Sequence, residues 1–321
     1  MKLHLPNSAF LGNIDTFIRS FDVSNPEKLE VTFNKKWLSL HPVVLSMTAA
    51  LGLRMRQQGR HVVCEKPVAT SKHYLERMGL TKFLDIPELP VHKHEPAGRF
   101  IALTRITNSE ELDAFIKDMV PLLHTSPEQA DPVKYIISEL VRNVLEHAGS
   151  PVGALICAQY FKKSNRVSIG VADVGVGITY TIQNAYRVQS DLEAIKLALW
   201  PGVTGTTRRI GGTEANAGAG LFFIKSIAKV NRDFFILYSG SAMYKLLKEP
   251  QEKQIKLNPD PFVDKSSRLE DLPYWQGTVV GIDISLDGNQ DFNTLLDLIR
   301  QAYRLDVKAK RKERFKKARF I

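Results

Sequence analysis

The stretch ALICAQYFKKSNRVSIGVADVGVGI (154–178) decides the class of fold. ALICAQYF (154–161) and RVSIGVAD (166–173) alternate as paired strands do, and KKSN (162–165) between them reads as a hairpin turn. In the second strand Val167, Ile169 and Val171 share one face, and Asp173 continues that face by parity. An acid where the core pattern demands an apolar residue is expensive unless a donor meets it. Gly175 and Gly177 follow at once and let a backbone approach a ligand closely. A carboxylate on the floor of a glycine-lined pocket accepts from an exocyclic amine such as adenine's; an ordinary Asp-Gly turn is the alternative.

Before the hairpin, SELVRNVLEHA (138–148) belongs to a helix expected from Pro132, suited to its first turn, to about Ala148. At about 100° per residue, Glu139, Asn143 and His147 fall along one line. Ile136 and Leu140 share the sector, so these polar groups border the buried face. A carboxylate takes a proton from water, and an amide oxygen is a hard ligand suited to magnesium. An amphipathic helix with a polar border would spell the same pattern. After the hairpin, GVTGTTRRIGGTEANAGAGLFFIK (202–225) feeds a helix expected over 220–230. Free amides and the dipole at a helix start attract phosphate. The stretch holds neither GxxxxGK[ST] nor GxGxxG, and a mobile surface loop is the alternative.

RFIALTRI (99–106) reads as a strand, 110–123 as a helix, EAIKLALW (193–200) as an extra helix and 292–305 as a closing helix. In GTVVGIDISL (277–286), Thr278 shares a face with Val280, Ile282 and Ile284. Strands and helices mixed without strict βαβ repetition give an α+β layer fold. Further upstream, LEVTF (29–33), a helix over 42–55, HVVCE (61–65) and a helix over 74–78 ending at Gly79 suggest a small α/β sandwich. LPVHKHEPAG (89–98) reads as a linker. His92, His94 and Glu95 lie at its centre, but with no nearby Cys or fourth ligand, linker polarity explains them better than a metal. The expected organisation is 1–95, 96–305 and a tail over 306–321.

The 321 residues are 44% apolar and 24% charged, ordinary for a globular chain of about two domains. No run of about 18 apolar residues occurs, so no spanning helix is expected. MKLHLPNSAFLGNID lacks a basic start before a long apolar block, so no secretory signal is expected. Cys64 and Cys157 sit in strand-like apolar runs and read as reduced core residues, which suits the cytoplasm. Of the net charge of +10, KAKRKERFKKAR (308–319) carries +7, leaving the body near neutral. Such a tail can hold an acidic protein, a nucleic acid or an anionic surface, or be the solvated end of the last helix. Phe315, Phe320 and Ile321 interleave apolar groups in it.

Taken in order, ELxxNxxxH (Glu139, Asn143, His147), DxGxG (Asp173, Gly175, Gly177) and a glycine-rich lid ending in GxGL (Gly218, Gly220, Leu221) resemble the GHKL ATPase superfamily of gyrase, heat-shock chaperone, histidine-kinase and mismatch-repair proteins. The resemblance covers roughly 96–305. It implies a Bergerat fold, a layer of helices on a mixed sheet, with ATP held between helices and a lid. It further implies Glu139 as general base, Asn143 as the magnesium ligand and His147 completing that motif at the nucleotide. Asp173 would read the adenine amine with Gly175 and Gly177 beside it. Gly218 and Gly220 would lie near the phosphates with Leu221 closing the motif, and Thr278 near the base. The spelling ELxxNxxxHA is similar to the anti-sigma-factor serine kinase branch. Arg208 and Arg209 would meet the terminal phosphate or stay exposed. The long stretch before the lid departs from the family, and no phospho-acceptor helix precedes the ATPase section, which disfavours a sensor histidine kinase.

The N-terminal section more faintly resembles a STAS domain, on LEVTF, the helix from Pro42, GRHVVCEKP and YLERMGL. His41-Pro42 stands where phosphorylatable members carry a serine, so that switch is not expected. The resemblance implies an Mg-ATP-binding regulatory protein with lid closure and slow hydrolysis. Its alternatives are a serine/threonine kinase acting on a STAS-like partner, or an ATP-gated nucleic-acid module using the tail. A regulatory protein partner and a homodimer fall within these expectations.

Overall fold

The computed structural model describes residues 1–84, 86, 100–122, 127–205, 220–252, 254–286 and 292–317. The first section runs β1 (Lys2–Leu5), β2 (Ser8–Ala9), α1 (Ile14–Arg19), β3 (Lys28–Phe33), β4 (Ser39–Leu40), α2 (Pro42–Gln57), β5 (His61–Cys64), α3 (His73–Arg77) and α4 (Leu80–Leu84). β3 lies between β1 and β5 and pairs with both in parallel, as the α-helical crossovers require. The rest runs β6 (Phe100–Ile106), α5 (Ser109–Leu122), α6 (Pro127–Asn143), β7 (Ala154–Phe161), β8 (Arg166–Ala172), α7 (Gly177–Gln183), α8 (Asp191–Ala198), α9 (Gly220–Val230), β9 (Phe235–Gly240), β10 (Ala242–Leu246), β11 (Ser266–Leu269), β12 (Trp275–Ser285) and α10 (Phe292–Lys317). The chain is thus α+β.

Among the described residues, seven strands form one sheet in the order β11-β10-β9-β12-β8-β7-β6. Each pairing in it is antiparallel, where the family resemblance implies a mixed sheet. Hairpins (β7-β8, β9-β10) and long returns join its strands, so no parallel crossover is needed. The expected hairpin turn forms: Lys162–Ser164 make a tight 3-10 turn and Asn165 takes φ +39°.

Alternation in β8 sorts its residues to two cores. Val167, Ile169 and Val171 pack with α6 and α9, including Ile136, Leu140, Phe222 and Ile224. On the other face, Gly170 meets α2: a Cβ there would stand 2.1 Å from the Val43 nitrogen. Ser46 Oγ donates to the Gly170 carbonyl at 2.9 Å. The helix α2 is buried around its whole circumference from Pro42 to Gly52, because the small sheet covers the side the large sheet leaves. Its start is capped by His41, whose Nδ1 accepts the Val43 N–H at 3.1 Å. His41 Nε2 lies 3.4 Å from Asp283 Oδ1 in β12, and Ser168 Oγ donates to the same oxygen at 2.5 Å.

The expected boundary near residue 95 lies outside the described residues, as do the linker 89–98 and His92, His94 and Glu95. The sections on either side of it share one hydrophobic core, in which Val43, Val44 and Met47 pack with Leu155, Cys157 and Tyr238. Two further differences concern α6. It begins at Pro127, so Pro132 lies inside it and not in its first turn. Both prolines obey the same preference for a helix start, and the earlier one takes the position. Its end, Val144–Ala148, is a wider π-helical turn. Among the described residues no helix is long and apolar enough to cross a membrane.

Candidate functional site

Between α6, α7, the β8 and β12 strands and the start of α9 lies a cavity of about 410 Å3, within the usual ~300–1,000 Å3 of ligand pockets. Of the residues singled out by sequence, Glu139, Asn143, His147, Asp173, Gly177, Gly220, Leu221 and Thr278 all line it. Gly175 does not line it, yet it shapes the wall: a Cβ there would stand 2.0 Å from the Ala148 carbonyl oxygen. The Val176 N–H donates to that oxygen at 2.8 Å, so the turn after β8 is tied to the end of α6. Gly218, Arg208 and Arg209 lie outside the described residues.

Asp173 is 1% exposed, on the face that parity assigns it, beside Val171 and Val280. Its Oδ1 accepts the Gly175 N–H at 2.7 Å. Its backbone is clamped by donation of its N–H to the Thr278 carbonyl at 2.9 Å and by the Trp275 indole on its own carbonyl at 3.0 Å. Burial pushes its carboxyl up to about 7, against the pull of the Gly175 and Thr278 amides. No lysine or arginine is ion-paired with it among the described residues. Gly177 takes φ +79°, with Ile178 N–H and Gly277 both tied to Ser239 Oγ. A side chain at 177 would be strained by that φ.

At the other end, α9 opens at Gly220 directly against α6. A Cβ on Gly220 would stand 2.5 Å from Glu139 Oε2 and 3.8 Å from Asn143 Nδ2. The half-buried Glu139 carboxyl is raised above its ordinary value by burial; Arg142 opposes the shift and Glu146 adds to it. A raised carboxyl beside a helix start suits a base that must take a proton. The far side of α9 is fixed by buried Lys225 and Lys229, both paired with Asp264. Among the described residues no cluster of three or more His, Cys, Asp or Glu side chains could hold a metal. A divalent ion here would therefore rest on Asn143 and its ligand's own oxygens.

Sequence reading missed Tyr135, Arg142, Glu146 and Thr181, which also line the cavity. Tyr135 was findable, four residues before Glu139 on the same line. Glu146 was findable too, three residues after Asn143 and seven after Glu139 on the same face. Compared with protein-family models and with curated proteins, the chain matches none.

Proposed function

We propose that the chain is an Mg-ATP-binding regulatory protein of the histidine kinase-like (GHKL) ATPase type, with a Bergerat-type layer sandwich preceded by a STAS-like section. One observation carries the reading: eight motif residues spread from 139 to 278 line a single cavity. The residues fit the ligand. A buried carboxylate without a cationic partner among the described residues suits a base amine, and a glycine at a helix start beside Glu139 and Asn143 suits phosphates with magnesium. Bound magnesium would supply charge neutralisation at the phosphates. Glu139 would take the proton of an attacking water, and Asp173 would orient the base. Closure of 202–219 over the nucleotide would exclude water and signal to a partner.

Kinase action on the chain's own N-terminal section is disfavoured. The start of α2 is buried on the face of the sheet opposite the cavity, with His41 fully enclosed. A serine/threonine kinase reading therefore needs an acceptor from another molecule. Incubation with ATP labelled on the terminal phosphate tests both: released inorganic phosphate supports hydrolysis, label on a partner supports transfer, and neither outcome with no ATP binding rejects the proposal.

A further inference from the structure

Along α6 the cavity is read in a fixed order. Glu139 abuts Gly220 at the start of α9, Asn143 follows one turn on, and Ala148 closes the wall against Gly175 and thus against Asp173. Glu146 and His147 lie between the Asn143 end and the Asp173 end. In a helix Glu146 lies three residues after Asn143 and seven after Glu139, about 60° and about 20° from them around the axis, so it shares their side. The π-helical turn Val144–Ala148 ends the helix against Gly175, and Glu146 and His147 both line the cavity. Glu146 Oε2 lies 3.8 Å from His147 Nε2, with the carboxylate 46% and the imidazole 31% exposed. A carboxylate there is acceptor-only and meets whatever joins the base to the phosphates.

We propose that Glu146 reads the sugar of the nucleotide, accepting from ribose hydroxyls, so that the cavity prefers ribonucleotides to deoxyribonucleotides. This rests on the ATP-binding reading above. Because the carboxylate is half-exposed, the preference is modest: about tenfold for ATP over its 2′- or 3′-deoxy analogue, equivalent to ~1.4 kcal/mol.

Titration calorimetry with ATP, 2′-deoxy-ATP and 3′-deoxy-ATP on the full chain and on the Glu146→Gln and Glu146→Ala variants tests this. The expected result is about tenfold discrimination against at least one analogue in the wild type, collapsing to near unity in Glu146→Ala while affinity for that analogue stays unchanged. The conservative Glu146→Gln keeps an acceptor oxygen and should retain part of the preference. Equal binding of all three nucleotides by the wild type, or the same ratio in wild type and Glu146→Ala, overturns the proposal and leaves ATP binding standing. Failure of all three to bind the wild type overturns the nucleotide reading and this proposal with it.

Discussion

Replacing Asp173 with asparagine keeps the shape of the side chain and removes its charge. Burial lifts this carboxyl from 3.8 to about 7. At 1.36 kcal/mol per unit, about three units bound the penalty on the ionised form at ~4 kcal/mol. The sign follows from which state holds the proton. Between about pH 4 and 7 the native chain keeps a proton that the unfolded chain has lost, so stability falls as pH rises through that window and is flat above it. Asparagine removes this slope, and its carbonyl oxygen can still accept the Gly175 N–H. Its amide protons lack an acceptor, at a cost of ~1–3 kcal/mol. The variant should therefore be more stable than wild type at pH 8, by ~1–3 kcal/mol, and not at pH 4. The same amide turns a donor toward the adenine amine, weakening ATP binding by about 5–150-fold. Urea unfolding from pH 4 to 8 and titration calorimetry read the two effects separately. A variant less stable at pH 8, or one binding ATP as wild type does, would refute the reasoning.

Glu139→Ala should spare nucleotide binding and lower turnover by about 10²–10⁴-fold, whereas Asn143→Ala should weaken the magnesium-dependent part of binding. Loss of binding in both, measured with and without magnesium, would contradict their separate roles. Gly170→Ala places a Cβ 2.1 Å from the Val43 nitrogen, so α2 must shift off the sheet; urea unfolding should show a loss of ~1–3 kcal/mol or more, and an unchanged midpoint would mean the packing is looser than described. Removing 308–321 should leave ATP affinity unchanged and reduce association with a polyanionic partner, the loss shrinking toward ~1 M salt. Equal recovery of heparin-bound full-length and truncated chain at low salt would assign the tail to solubility alone.

Much of the fold was legible because the period of its apolar residues is clean. β8 alternates without interruption, so Asp173 could be assigned to a face, and α2 is apolar all round because two sheets enclose it. The first 27 residues escaped because β1, β2 and α1 are only 4, 2 and 6 residues long, too short for a periodic signal. Pro132 misled because local preference cannot choose between two prolines five residues apart. The shared core of the two sections was hidden for a different reason. His41, Ser46 and Gly170 look ordinary until tertiary packing brings them together, and Gly170 inside a strand was the one signal of a close approach. At the site, the residues on α6, β8 and β12 followed from periodicity; Glu146, three residues after Asn143 and seven after Glu139, shares their face and was legible by the same spacing.

The central claim is that one cavity holds ATP from Asp173 to the start of α9. The most direct measurement is a crystal structure of the chain grown with magnesium and a non-hydrolysable ATP analogue. The account predicts the exocyclic amine within hydrogen-bond distance of the Asp173 carboxylate and the phosphates at Gly220, with magnesium on the Asn143 amide oxygen. A saturated analogue seated elsewhere, or a cavity in which Asp173 touches no base, would contradict it.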